Sequence, residues 1–385
     1  MRICHVTAHL PPDQAANALL PYQLGQWARD EGHQPVYLAH PSRQDGGRRA
    51  PELPGPVTWV LRRHQGRSLA SRLRIESLGA ATSIIRTVLP VVRDCDLVHV
   101  HSSGLLAEVA GLVARWLDKP YVLTLYGTEI WHYKRGLPIV DRFTSLYQRA
   151  SAVTFYSRGL LNRASALGLD RPGMRVVYPP VDPAFATVDA TARPAIRAHL
   201  GLHEAHVLLN VKRLHPLAGQ RHLLNAMPEV LGAIPDTRLV ICGAGPLRTE
   251  LEEAVCALGI GDHVTLAGLV DNEGIARFDQ ASDVFVLPSL LEACPTVALE
   301  ALACGTTVVS SDNPGGVELN EIFGDDVAVV PRADSSRLAA ALIARLLSPR
   351  RTTPDTDRII DDRFRPGRAA AEFRDVYREA LSGRG

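Results

Sequence analysis

Lysine is close to missing from this chain: Lys119, Lys134 and Lys212 are the three lysines among 42 basic residues, and the rest are arginine. That skew, with abundant alanine, glycine and proline, is the mark of a GC-rich bacterial genome, and it leaves little for chemistry that needs a suitably placed lysine, such as that of pyridoxal. Cysteine is also sparse and scattered (positions 4, 95, 242, 256, 294 and 304) with no CxxC pair. A structural zinc framework is therefore disfavoured, and most of these thiols sit in apolar runs where a free cysteine acts as a small hydrophobe. A reducing cytoplasm is the expected setting. No apolar run approaches the roughly 20 residues that span a bilayer. The N-terminus, MRICHVTAHLPP, enters a strand-like run at once, which leaves no room for a signal peptide. Net charge is +1, so no whole-chain field draws in nucleic acid.

What is present is a rhythm. Short apolar runs alternate with longer amphipathic stretches over 385 residues, a length that predicts two domains. Ile3–Thr7, Pro35–Ala39, Asp96–His101, Tyr121–Tyr126, Val153–Tyr156 and Val176–Tyr178 read as strands, with helices over Gln23–Glu31 and Leu105–Leu117. The proline-rich Tyr178–Pro194 breaks the series. Strands then resume at Val207–Val211, Arg238–Ile241, His263–Leu266, Val284–Leu287 and Thr307–Ser310. Parallel strands joined by helical crossovers follow from this pattern, as two doubly wound, Rossmann-like α/β domains facing across a cleft. The domains are expected at 1–182 and 183–364, with an amphipathic helix in 365–385 packing back toward the first.

Eight arginines (43, 48, 49, 62, 63, 67, 72 and 74) crowd the stretch between residues 43 and 74. A solvated loop and helix face accounts for them; a peripheral contact with anionic lipid or a charged acceptor is the sharper reading.

Several patterns lead nowhere specific. Asp94-Cys95-Asp96 has a DxD spacing that can hold a metal, but it directly precedes a strand, where turn-forming aspartates belong. His99 and His101 share a strand face, yet no nearby carboxylate or cysteine completes a metal set, so they read as core or cleft-lining residues. No metal is expected. Cys242-Gly243-Ala244-Gly245-Pro246 is a glycine turn after a strand, but Arg248 stands where a dinucleotide fingerprint needs its third glycine. Gly243 can serve close packing or a nucleotide edge. Lys212 and Arg213 end the first strand of the second domain, where cations suit a diphosphate or a plain surface ion pair.

The densest signal is FVLPSLLEACPTVALEALACGTTVVSSDNPGGVEL. A strand runs into a loop, Pro295 opens a helix, and Gly305 ends it. The free amides of Thr296 and Val297 then suit a phosphate. In one continuous helix Glu292 and Glu300 would lie about 12 Å apart along the axis, too far for a glycosidase acid/base pair.

These residues carry a resemblance. PSLLEACPTVALEALACGTTVVSSDNPGGVE is similar to the E-x7-E region of retaining GT-B glycosyltransferases, the large group-4 (glycosyl transferases group 1) family. NVKRLHPLAG resembles its G-R-L-x-x-x-K-G loop, and DLVHVHSS and VLTLYGTEI resemble segments of its N-terminal domain. The resemblance implies transfer of a sugar from a nucleotide-sugar, with retention, without metal and with no other cofactor. It implies Glu300 on the ribose, Glu292 at the donor sugar and Arg213 on the diphosphate, aided by amides after Pro295. Tyr126, Asn17 and His101 fall on the acceptor or donor-sugar side. The acceptor, whether saccharide, lipid-linked intermediate or small natural product, is unspecified, and the enzyme would work in the cytoplasm or at the inner membrane face. Three positions depart from the family pattern: its lysine is Ala218, with Lys212 or Arg221 as replacements; its glycine is Lys212; and the histidine of V-T-x-H-G is Tyr126. A non-catalytic sugar-nucleotide-binding homologue, and a GT-B epimerase or phosphorylase, are the rival readings.

Overall fold

The structure is a computed structural model that describes residues 1–13, 16–41, 51–61, 75–134 and 141–383. All eight arginines of the basic stretch lie outside the described residues. The chain divides into two compact units, Met1–Tyr178 with Ala369–Gly385, and Pro179–Arg368.

The first unit holds a seven-stranded sheet ordered β3-β2-β1-β4-β5-β6-β7. Its strands are β1 (Arg2–Thr7), β2 (Gln34–Ala39), β3 (Val57–Trp59), β4 (Leu97–His101), β5 (Tyr121–Leu125), β6 (Ala152–Phe155) and β7 (Met174–Val176). Every pairing is parallel. Parallel sheets are covered on both faces, which is why β4 and β5 are buried at every residue and read as near-continuous apolar runs. Strand β3 was not evident in the sequence: it is a three-residue edge strand preceded by prolines, with Trp59 left 47% exposed, so it carries no burial pattern. β7 begins earlier than its apolar run suggests and ends before Pro179-Pro180.

The helix Pro366–Ser382 returns to this unit from Ala369 onward. Ala369, Ala370, Phe373, Val376, Tyr377 and Ala380 form its buried stripe at three-to-four-residue spacing. The Tyr377 hydroxyl reaches His99 Nδ1 at 2.7 Å. Arg374 pairs with Glu31 and lies 5.7 Å over the Trp27 ring.

The second unit holds a six-stranded sheet ordered β10-β9-β8-β11-β12-β13. Its strands are β8 (His206–Val211), β9 (Thr237–Cys242), β10 (Val264–Gly268), β11 (Val284–Leu287), β12 (Thr307–Ser311) and β13 (Val327–Val330). All pairings are again parallel. Helices Gln220–Ala233 and Ser335–Leu347 cover one face through Leu223, Met227, Val230, Leu338 and Leu342, which join Leu208, Ile241 and Val286 in one core. In both sheets the strand order reverses beside the first strand, between β1 and β4 and between β8 and β11. Open α/β sheets bind ligands outside the strand C-termini at such a switch point.

Candidate functional site

In the second unit the switch point is built by two loops. β11 ends at Leu287, and the loop carrying Glu292 leads to the helix Thr296–Ala303, with Pro295 as its N-cap rather than its first helical residue. Thr296 and Val297 open that helix, and their amides meet no acceptor among the described residues. A second segment, Ser311–Gly316, braces the loop from behind. Asn313 donates its amide to Ser289 O at 3.1 Å and accepts from Gly316 N at 2.9 Å, while Gly315 N donates to Glu292 O at 3.0 Å. Glycine is required here by space: a Cβ on Gly315 would lie 2.8 Å from Pro295 Cδ, and one on Gly316 would lie 2.2 Å from Ser310 Oγ. The sequence marked the N-P-G-G run but not this bracing role, which depends on distances across β11 and β12.

Lys212 and Arg213 follow β8. Gly243 holds their backbone in place: its φ is +147° and a Cβ would fall 2.0 Å from Lys212 O, so the glycine turn serves close packing. Gly219, with φ +71°, fits against Pro288 O in the same way. Lys212 Nζ meets Glu292 Oε1 at 2.7 Å, with side-chain exposures of 28% and 11%. Arg213 is exposed, and its guanidinium has no partner among the described residues. Ala218 is buried, so the position of the family lysine offers no cation. Arg221 reaches no nearer than 3.9 Å to Glu250, both half exposed.

Glu300 is half-buried on the Thr296–Ala303 helix. Burial and the charge of Asp182 push its carboxyl up to about 7, against the lowering effect of Lys212. Asp279, on the helix Asn272–Ala281, was not singled out by the sequence. It is fully buried, neither carboxyl oxygen has a hydrogen-bond partner among the described residues, and burial followed by the charge of Glu300 raises its pKa well above the usual range. Burial thus favours its protonated form, close enough to Glu300 to feel its charge.

In the first unit, His101 and Tyr126 do come together: His101 Nδ1 lies 2.8 Å from the Tyr126 hydroxyl. His5, which no sequence pattern marks, completes a cluster. It pairs with His99 in the β1–β4 register, and its Nδ1 lies 3.1 Å from His101 Nε2. A third histidine, rather than a carboxylate or cysteine, completes the set: among the described residues, donor atoms of His5, His99 and His101 lie within 4.8 Å of one another. Their nitrogens are largely committed elsewhere. His99 binds Tyr377 at 2.7 Å and Thr124 at 2.6 Å, and His101 binds His5 and Tyr126. Burial lowers all three pKa values, His5 to about 3, so the rings are neutral near pH 7. Asn17 is tied in through its backbone, its carbonyl accepting from Thr7 Oγ1 at 2.5 Å. Asp96 belongs to the opposite end of the sheet, accepting from Arg2 N at 2.8 Å, which gives the DxD stretch a structural use.

Two parallel Rossmann-like units with these switch-point loops define the GT-B fold. Solved structures agree: sucrose-phosphate synthase from Thermosynechococcus elongatus superposes with a TM-score of 0.77 at 20% identity over 100% of both chains. Anabaena HepE, in complex with UDP and glucose, gives 0.74 at 18% identity, covering 98% of this chain and 99% of that one. The profile "Glycosyl transferases group 1" matches residues 192–360, and "Glycosyltransferase Family 4" matches 21–185. A GDP-mannose-dependent alpha-(1-6)-phosphatidylinositol monomannoside mannosyltransferase of Mycolicibacterium smegmatis is 30% identical over 268 residues, 67% of this chain and 69% of that protein. A 2-deoxystreptamine glucosyltransferase of Streptomyces kanamyceticus is 30% identical over 229 residues, 56% of this chain and 59% of that protein. The chain belongs to the glycosyl transferases group 1 family. Among the described residues, no helix is long and apolar enough to cross a membrane.

Proposed function

We propose that this chain transfers a sugar from a nucleotide-sugar donor to an acceptor, with retention of anomeric configuration and without a metal. The observation that carries the reading is the convergence, at the switch point of the second sheet, of Arg213, Lys212, the free amides of Thr296 and Val297, and the carboxyls of Glu292 and Glu300. A diphosphate asks for cations and oriented amides that stabilise its leaving charge. Ribose and sugar hydroxyls ask for carboxylate acceptors. Arg213 and the helix amides take the diphosphate, Glu300 the ribose and Glu292 the donor sugar. Tyr126, His101 and Asn17 serve the acceptor side in the first unit. The relatives' names support this class of donor and a hydroxylated acceptor, either a glycolipid or a small aminocyclitol.

The test is a thermal-shift panel of ADP, GDP, UDP and their sugar conjugates. A ligand at a hundred times its dissociation constant adds about 2.7 kcal/mol of stability. No shift with any of them would sink the reading. The buried Ala218, where the family lysine should stand, favours a second reading: a sugar-nucleotide-binding protein without turnover. Donor hydrolysis or transfer by a protein that shifts with a donor rules that out.

A further inference from the structure

Lys212 stands where a glycine is usual, and it is the only lysine of the second unit. Its ammonium is already engaged, 2.7 Å from Glu292 Oε1. Gly243 and Gly245 press on the backbone of Lys212–Leu214, so the side chain starts from a fixed base. Glu292 is equally fixed, since its carbonyl accepts from Gly315 N and its Cβ lies against Gly315. The cation and carboxylate therefore meet across β8 and β11, at the place where the diphosphate and the donor sugar are read to lie. A diphosphate carries more charge than a carboxylate and competes for the same ammonium. Glu292 Oε1, in turn, is open to sugar hydroxyls only once Lys212 leaves it.

We propose that Lys212 is a transferable cation. Without donor it neutralises Glu292; with donor it moves to the diphosphate, replaces the family lysine lost at Ala218, and frees Glu292 for the sugar hydroxyls. The handover rests on the donor-site reading above, and it makes a distinctive demand. Removing the negative charge of Glu292 must strengthen binding of a nucleoside diphosphate, because the competing partner of Lys212 is gone. In population terms, the fraction of protein with a free Lys212 rises and the apparent dissociation constant falls by that fraction.

The experiment is calorimetric titration of ADP, GDP and UDP into the wild type, Glu292→Gln, Lys212→Met and the double variant, each first checked for an intact thermal transition. For whichever diphosphate binds, Glu292→Gln is expected to tighten binding about threefold or more. Lys212→Met is expected to weaken it about tenfold, and the double variant should match Lys212→Met alone. The sugar-bearing donor should gain nothing from Glu292→Gln, since its hydroxyls lose their acceptor. As a readout independent of substitution, lysines of the wild type can be reductively methylated with a carbon-13 label. The Lys212 resonance should then move with the diphosphate and stay put with the nucleoside. An unchanged or weaker affinity in Glu292→Gln, or a still Lys212 resonance on saturation, overturns the handover while leaving the donor site standing. No binding of any of the three diphosphates to the wild type overturns the donor-site reading, and the handover with it.

Discussion

The two units place polar residues at the same topological point and do opposite things with them. In the second unit, Lys212, Arg213, Glu292 and Glu300 are charged or close to titrating, and sit in loops or a helix start beyond the strand ends. In the first unit, His5, His99 and His101 lie within β1 and β4, buried and neutral, with Thr124 of β5 and Tyr126 just beyond it as partners. A shared fold thus fixes where a ligand can meet the sheet, and local side chains decide which chemistry is offered there. On the function proposed above, the second unit supplies compensation for a dianion. The first holds neutral histidines that hydrogen-bond one another and neighbouring hydroxyls, with burial keeping the rings uncharged.

The largest effect should come from cutting into the charged end. Arg213→Ala removes an exposed guanidinium that has no partner among the described residues, so the thermal midpoint should barely move. Transfer should fall by about 10²–10³-fold, the scale seen when one donor to a developing anion is lost. Activity and melting measured on one preparation check both halves. A large drop in stability with an unchanged rate would mean that Arg213 is structural and the two ends differ less than argued.

The buried end should respond to acid instead. An unfolded histidine has a pKa of about 6.5, whereas burial lowers those of His5, His99 and His101, so the unfolded chain binds more protons below that value. Stability from the neutral cluster is therefore complete above about pH 6.5 and is lost as pH falls, down to the folded values. At pH 5 the loss is about 2 kcal/mol for His5, and His99 and His101 act in the same direction. The protection factors of β1 and β4 amides, which correct for the slower intrinsic exchange in acid, should fall between pH 7 and 5 more than those of β8 and β11. His5→Gln, which keeps a polar group but does not titrate, should flatten the dependence by about one proton.

How much of this could be read from the chain follows from range. The alternation of apolar runs gave most strands and both Rossmann-like units, because buried parallel strands announce themselves locally. The edge strand β3 escaped because half-exposed residues such as Trp59 carry no pattern. Glu292, Glu300, Lys212 and Arg213 were legible as motif positions, but the Lys212–Glu292 pair was not, since 80 residues and three strands separate its members. His5 was invisible for the same reason: only the register of β1 on β4 brings it beside His99. Asp279 looked like one more polar residue on a helix, and its solitude is a property of packing.

The smallest of these effects concerns Glu300, the one group at the charged end that sits between the two behaviours. Burial, with Asp182, raises its carboxyl to about 7, so at pH 6 it is mostly protonated and at pH 8 mostly ionised. A carboxylate accepts two ribose hydroxyls better than an acid does, so donor binding should strengthen with pH. If only the ionised form binds, the apparent affinity should change by at most about tenfold between pH 6 and 8. The intact nucleotide-sugar is the right probe, because its diphosphate diester does not titrate in that range and the dependence then belongs to the protein. Glu300→Gln should weaken binding and remove the slope together. A slope that survives in Glu300→Gln would move the titrating group elsewhere at the switch point, and with it the claim that this glutamate faces the ribose.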